Sequence, residues 1–90
     1  MLEGKVKIIN PLGLHARAAA QLVRLAGAFK SKTVLSRVDN AIMADAKSIL
    51  SVLTLAAAKG TVLEIRVEGE DEQKAFQSIS DIFADGFGEL

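Results

Sequence analysis

The hydrophobic residues of this 90-residue chain recur with two different spacings, and the order of those spacings limits the folds open to it. Apolar and polar residues alternate over Lys5–Ile8 and over Thr61–Val67, which indicates strands with one buried face. Apolar residues recur every three or four positions from Ala16 onward and again after Gly69, which indicates amphipathic helices. Both kinds of element therefore have to share one core.

The middle of the chain adds two short strands and a helix. Thr33–Ser36 and Ala41–Ala44 have strand-like composition and flank the turn-forming pair Asp39-Asn40, which predicts a hairpin. The apolar run Ile49–Ala56 predicts a short helix that ends near Gly60. We expect the first helix to close at Lys30–Lys32 and the last to stop at Gly86. The predicted buried stripes are Ala19, Leu22, Val23, Ala26 and Phe29 in the first helix and Ala75, Phe76, Ile79, Ile82 and Phe83 in the last.

The resulting order is β-α-β-β-α-β-α. With short connections, it predicts an α+β open-faced sandwich, a four-stranded, mainly antiparallel sheet with three helices on one face. Half of the residues are apolar, which is enough for a compact core, and the length leaves little room for a second one. We therefore expect one domain over residues 1–90.

Composition excludes several classes of function. Eleven basic and eleven acidic residues cancel, and there is no Trp or Tyr to stack on bases, so nucleic-acid binding is not expected. Without cysteine and with one histidine, the chain cannot build a thiolate or multi-histidine metal site. We expect neither metal nor cofactor. No signal peptide or membrane-spanning run is visible, so we expect a cytoplasmic protein that does not insert into membranes. We also expect a monomer.

The one histidine, His15, stands where a Pro/Gly loop meets the start of the first helix. A helix start offers unpaired backbone N–H groups and the positive end of the macrodipole, both of which favour an anion. Arg17 follows two residues later with a fork of donors suited to phosphate. A nucleophilic imidazole beside such a cradle is the chemistry of a covalent phosphohistidine.

Four segments carry a resemblance to a known family. Gly13-Leu14-His15-Ala16-Arg17 resembles the active-site motif of HPr, the histidine-containing phosphocarrier of the bacterial phosphotransferase system. The similarity extends to Asp45–Leu50, to Val52–Gly60 and to the ending Asp85–Glu89, so it covers nearly the whole chain.

The resemblance implies a carrier rather than an enzyme. His15 would accept a phosphoryl group on Nδ1 from enzyme I, which draws it from phosphoenolpyruvate, and would pass it to enzyme IIA domains. Arg17 would contact the phosphate. Leu50 and Leu53, together with Ala20, would form a docking patch. Ser48 would be a target of HPr kinase/phosphorylase in some lineages, although an N-cap alone also explains a serine there.

Two alternatives stay open. The family usually has proline after the arginine, and this chain has Ala18. That difference fits a nitrogen-branch or purely regulatory member that binds partners with little or no role in sugar transport. A ferredoxin-like ligand- or RNA-binding domain shares the element order, but basic and aromatic residues for its sheet are scarce.

Overall fold

Four strands form one antiparallel sheet in the computed structural model, which describes residues 1–90. The strands are β1 (Leu2–Lys7), β2 (Lys32–Arg37), β3 (Met43–Asp45) and β4 (Val62–Glu68). Their order across the sheet is β1-β4-β2-β3, and all three neighbouring pairs run antiparallel. The first and last strands of the chain are thus adjacent, with Leu2 opposite Val67.

Three helices complete the predicted order. They are α1 (Ala16–Gly27), α2 (Ile49–Leu53) and α3 (Glu72–Ala84), and a 3₁₀ turn over Gly86–Gly88 follows α3. The predicted open-faced sandwich is confirmed. None of the helices combines the length and the apolar character needed to cross a bilayer.

The core lies between the helices and one face of the sheet. On β4, Leu63, Ile65 and Val67 are fully buried, whereas Arg66 between them is exposed, as the alternation predicts. The helices contribute Ala18, Ala19, Leu22 and Ala26 from α1, and Ala75, Ile79 and Phe83 from α3. Val23, Phe29, Phe76 and Ile82 pack on the edge of this core and are partly buried. Burying each large apolar side chain contributes roughly 1.5–3 kcal/mol, so this interface supplies much of the stability.

Two of the predicted helix ends are wrong. The first helix stops at Gly27, before Lys30, because the chain there turns to place the Lys30 and Ser31 amides on the carboxylate of Asp71. The second stops at Leu53 instead of running on to near Gly60. Ala56 has a φ of 48°, a left-handed conformation that cannot continue an α-helix.

Strand boundaries also differ from the prediction. β1 begins at Leu2, three residues earlier than expected, and β3 begins at Met43 instead of Ala41. Ala41 has a φ of 60°, and the Ile42 amide donates to the Asn40 side chain at 3.0 Å. The turn of the hairpin is therefore wider than the Asp39-Asn40 pair alone predicts.

Candidate functional site

Several hydrogen bonds hold the loop before α1 and so fix the backbone that leads to His15. The Leu14 amide donates to the Ala57 carbonyl at 2.8 Å, and the buried Asn10 side chain donates from Nδ2 to the Gly13 carbonyl at 2.7 Å. Gly13 has a φ of 68°, and a Cβ there would lie 2.6 Å from the Ala57 oxygen. Only glycine fits this position without strain.

His15 is the N-cap residue of α1. Its carbonyl accepts from the Ala19 amide at 2.8 Å, while its side chain makes no capping hydrogen bond. The amides of Ala16, Arg17 and Ala18 donate to no backbone or side-chain acceptor in the chain. Unpaired amides at a helix N-terminus are a natural position for an anion.

The imidazole contacts a carboxylate from the far end of the chain. His15 Nε2 hydrogen-bonds Glu89 Oε2, across 74 positions of sequence. The other carboxylate oxygen, Oε1, accepts from Asn10 Nδ2 at 3.1 Å. Asn10 therefore uses its amide nitrogen to join the loop carbonyl of Gly13 to Glu89. Its buried Oδ1 has no partner, and rotating the amide would place that oxygen against two other oxygens.

The charge on Glu89 determines which ring nitrogen of His15 is free. The hydrogen bond from His15, and after it the one from Asn10, lowers the pKa of the Glu89 carboxyl, with a further contribution from the charge of Arg17. An ionised carboxylate only accepts, so Nε2 carries the proton that it donates. Nδ1 makes no hydrogen bond in the chain. In the neutral ring, Nδ1 therefore holds the available lone pair.

Arg17 lies on the exposed side of α1, where it makes no ion pair or side-chain hydrogen bond. Together with Glu89 it lines a shallow, open cleft of about 340 Å³. The cleft is also bounded by Pro11, Leu12 and Gly88. No cluster of three or more histidine and acidic side chains that could ligate a metal ion occurs. Because the Arg17 guanidinium has no partner in the chain, it is available to an anion beside His15.

The other predicted site residues lie on α1 and α2, which contact each other. Ser48 is the N-cap residue of α2, and its Oγ accepts from the Ser51 amide at 3.3 Å. The capping role predicted for this serine is confirmed. Leu50 is 75% exposed and Leu53 37% exposed, while Ala20 on α1 is half-buried. Because the Leu14 amide donates a hydrogen bond to the Ala57 carbonyl, the segment after α2 lies next to the histidine loop.

Sequence reasoning missed two residues of the site, Asn10 and Glu89. Each lies next to its partners only in the folded chain, since Glu89 is 79 positions from Asn10 and 74 from His15. No local spacing or periodicity marks such a contact. The ending Asp85–Glu89 contributes to the family resemblance, but nothing in that resemblance predicts the contact with His15.

Comparisons with known proteins all point to one family. A family model described as "PTS HPr component phosphorylation site" matches residues 2–85. The phosphocarrier proteins HPr of Xylella fastidiosa and Cupriavidus necator are each 46% identical over 89 residues, which is 99% of this chain and 98% of theirs. A crystal structure of HPr from Thermoanaerobacter tengcongensis superposes with a TM-score of 0.92 at 34% identity, covering 100% of this chain and 99% of that one. The chain belongs to the HPr family, the phosphocarriers of the phosphotransferase system.

Proposed function

We propose that this chain accepts a phosphoryl group on His15 Nδ1 and passes it to enzyme IIA domains. The donor is enzyme I, which is itself phosphorylated by phosphoenolpyruvate. The observation that carries the proposal is the hydrogen bonding of the two ring nitrogens of His15. Nε2 is engaged by Glu89 and Nδ1 is left without a hydrogen bond, beside the unpaired amides that open α1. A nucleophilic nitrogen and an anion-binding helix start thus occupy one place, in a chain of the HPr family.

Arg17 is the residue that we assign to the phosphate. Arg17 lines the same cleft as Glu89, and its guanidinium has no partner within the chain. A charge-assisted hydrogen bond from it contributes roughly 1.5–3 kcal/mol, and the helix start about 0.3–2 kcal/mol. These contributions would stabilise the negative charge of a phosphoryl group that is bonded covalently to Nδ1. They are small enough to release it to the next protein.

Docking to several partners is assigned to the apolar surface formed by Ala20, Leu50 and Leu53. Leu50 stands almost free in solvent, and an exposed leucine on a short helix beside a reactive loop suits the contacts of a weak complex. Ser48 opens the same helix. Phosphate on Ser48, added by HPr kinase/phosphorylase where that enzyme is present, would place negative charge at the edge of this surface.

A second candidate function is favoured by one residue. Ala18 stands where the family usually has proline, and it is fully buried in the first turn of α1. The helix still begins at Ala16, so the unpaired amides of its first turn are still present. A nitrogen-branch or regulatory member with little or no role in sugar transport would carry the same chemistry at His15. It would differ in the partners that receive the phosphoryl group.

The experiment is phosphorylation in vitro. The chain is incubated with phosphoenolpyruvate and purified enzyme I of its own organism, both the sugar and the nitrogen type where both exist. We expect an acid-labile, base-stable phosphoryl adduct, which His15→Ala abolishes and Ser48→Ala retains. The type of enzyme I that phosphorylates the chain distinguishes a sugar-branch carrier from a nitrogen-branch or regulatory one. Absence of an adduct with every cognate enzyme I would exclude a phosphocarrier role.

A further inference from the structure

We propose that Arg37 is a positioning residue for phosphoryl transfer, which holds the segment after α2 against the histidine loop. The inference deepens the proposed function and rests on it. It begins from the guanidinium, whose Nη1 donates to the carbonyl oxygens of Leu55 and Ala56, at 2.9 and 3.2 Å. Those two carbonyls accept no other hydrogen bond in the chain. Arg37 is therefore the one side chain that holds the backbone of Leu55 and Ala56.

The segment between α2 and β4 needs this support because its first residues form neither helix nor strand. Ala56 has a φ of 48°, a conformation that costs a non-glycine residue energy and persists only where the surroundings enforce it. Its neighbours Leu55 and Ala57 are buried, whereas Ala56 itself is exposed. The carbonyls that Arg37 binds belong to the two peptide groups that flank Ala56. The guanidinium thus fixes the turn at that residue.

Arg37 can act in this way because it is itself held in place. Across the hairpin turn its amide donates to the Ile42 carbonyl and its carbonyl accepts from the Ala41 amide, both at 2.9 Å. Nε and Nη2 donate to the two carboxylate oxygens of Asp39, at 2.9 and 2.7 Å. The Arg37 side chain is 18% exposed, so water competes weakly for these donors. A planar guanidinium that is bound by a carboxylate at two nitrogens and by carbonyls at the third has little freedom to reorient.

The segment that Arg37 holds is the one that the histidine loop contacts. The Ala57 carbonyl accepts from the Leu14 amide at 2.8 Å, and Leu14 directly precedes His15. The Gly13 backbone approaches so closely that a Cβ there would lie 2.6 Å from the same oxygen. A shift of Ala57 would therefore also move the backbone that leads to His15.

This connection matters for binding because α2, which precedes the segment, carries Leu50 and Leu53 of the proposed docking surface. Enzyme I has to contact this surface and reach His15 in one complex. If the two elements are held in their relative position before binding, less of the interaction energy is spent on ordering them. Arg37 is not among the residues that line the cleft beside His15, so its effect is on binding and not on the phosphate.

The test compares Arg37→Met and Arg37→Lys with wild type and with a matched control, Arg66→Met. Arg66 also lies on a strand and pairs with two carboxylates, those of Glu3 and Glu64, but it binds no backbone carbonyl. Two properties are measured: KM and kcat for phosphorylation of the chain by enzyme I with phosphoenolpyruvate, and the hydrogen-exchange rate of the Leu14 amide by NMR. Both are measured at a temperature where urea unfolding shows every variant to be folded.

We expect Arg37→Met to raise KM for enzyme I about three- to tenfold and to leave kcat within about twofold of wild type, because binding and not the chemical step is affected. The Leu14 amide of this variant should exchange about tenfold faster than in wild type. Arg37→Lys should give intermediate values, since one ammonium group cannot hold both carbonyls and the carboxylate as a planar fork does. Arg66→Met should match wild type in both measurements.

The inference is overturned if the Leu14 amide of Arg37→Met exchanges as slowly as that of Arg66→Met, or if the two variants have the same KM. A loss confined to kcat would also contradict it, because Arg37 would then act on the chemical step. If Arg37→Met does not fold, Arg37→Lys decides by the same two comparisons. Failure of wild type to accept phosphate at all would instead remove the proposed function, while the exchange of the Leu14 amide would still decide whether Arg37 holds the loop.

Discussion

Gly13 is the residue on which the position of His15 depends most directly. Its positive φ and its close approach to the Ala57 carbonyl let the Leu14 amide bond the segment after α2. A side chain at this position would have to displace the backbone of Ala57 and Ala58. Backbone moves less easily than the end of a flexible side chain. The histidine loop and the segment after α2 would then separate.

We therefore expect Gly13→Ala to lower the free energy of unfolding by about 2–4 kcal/mol, from backbone strain together with overpacking. Urea unfolding followed by circular dichroism measures the loss. Gly27→Ala is the control, because Gly27 ends α1 without a positive φ and a Cβ added there would have no atom within 4 Å. It should be neutral or stabilising by up to about 1 kcal/mol. Equal effects at the two glycines would refute the argument.

At the scale of the element, α2 is a five-residue helix whose first turn is capped by a side chain. Ser48 caps the Ser51 amide, and the Ser51 hydroxyl in turn accepts from the Asp45 amide at 3.0 Å. Val52 is the only fully buried residue of the helix. So short a helix is marginal without its cap, because nucleation costs more than one turn of hydrogen bonds returns.

Ser48→Ala should therefore destabilise the protein by about 0.5–2 kcal/mol, and Ser48→Asp should restore most of that stability, because aspartate caps as well as serine. Thermal unfolding of the two variants measures both effects. Ser78→Ala, at a partly buried serine within α3 that makes no side-chain hydrogen bond, is the matched control and should change little. A fully stable Ser48→Ala would show that α2 needs no cap.

The same helix shows where prediction from sequence reaches its limit. Its start could be predicted, because a serine before an apolar run has a local physical meaning. Its end could not, because Ala56 adopts a left-handed φ in order to place Leu55 and Ala57 in the core. That conformation is decided by packing and not by the propensity of alanine, which favours helix.

On the scale of the whole molecule, Asp71 connects the two long helices. Its carboxylate, just before α3, accepts from the amides of Lys30 and Ser31, both at 2.9 Å, and from the Ser31 hydroxyl. These bonds, with the Ser31 hydroxyl first among them, lower the pKa of Asp71 to about 2. Because this pKa is below that of an unfolded aspartate, the contribution is complete above about pH 4 and is lost as the pH falls toward 2.

Asp71→Asn should accordingly lower the free energy of unfolding at pH 7, and the variant should lose less stability than wild type between pH 5 and pH 2.5. Urea unfolding at the three pH values checks both statements. Asp85→Asn replaces an exposed carboxyl that makes no side-chain hydrogen bond and should follow the wild-type curve. An Asp71→Asn curve parallel to wild type would contradict the assignment.

The fold as a whole could be predicted because the longer strands and helices carry their own periodicity, while composition and turn-forming residues mark the shorter elements. His15 and Arg17, the residues that we propose to be reactive, could also be predicted, because both lie in one short motif. Asn10 and Glu89 could not, because their contact depends on β1 pairing with β4 and on α3 returning the chain to the loop. Local patterns contain no information about contacts that only tertiary structure creates.

The distance in sequence between His15 and Glu89 also bears on how the chain folds. The β2–β3 hairpin joins near neighbours and can form early, whereas the imidazole meets its carboxylate only after the ends of a loop of more than seventy residues have closed. A newly made or partly folded molecule thus exposes a histidine that lacks its partner. The contact between His15 and Glu89 therefore reports that the N-terminal loop and the C-terminal turn have come together.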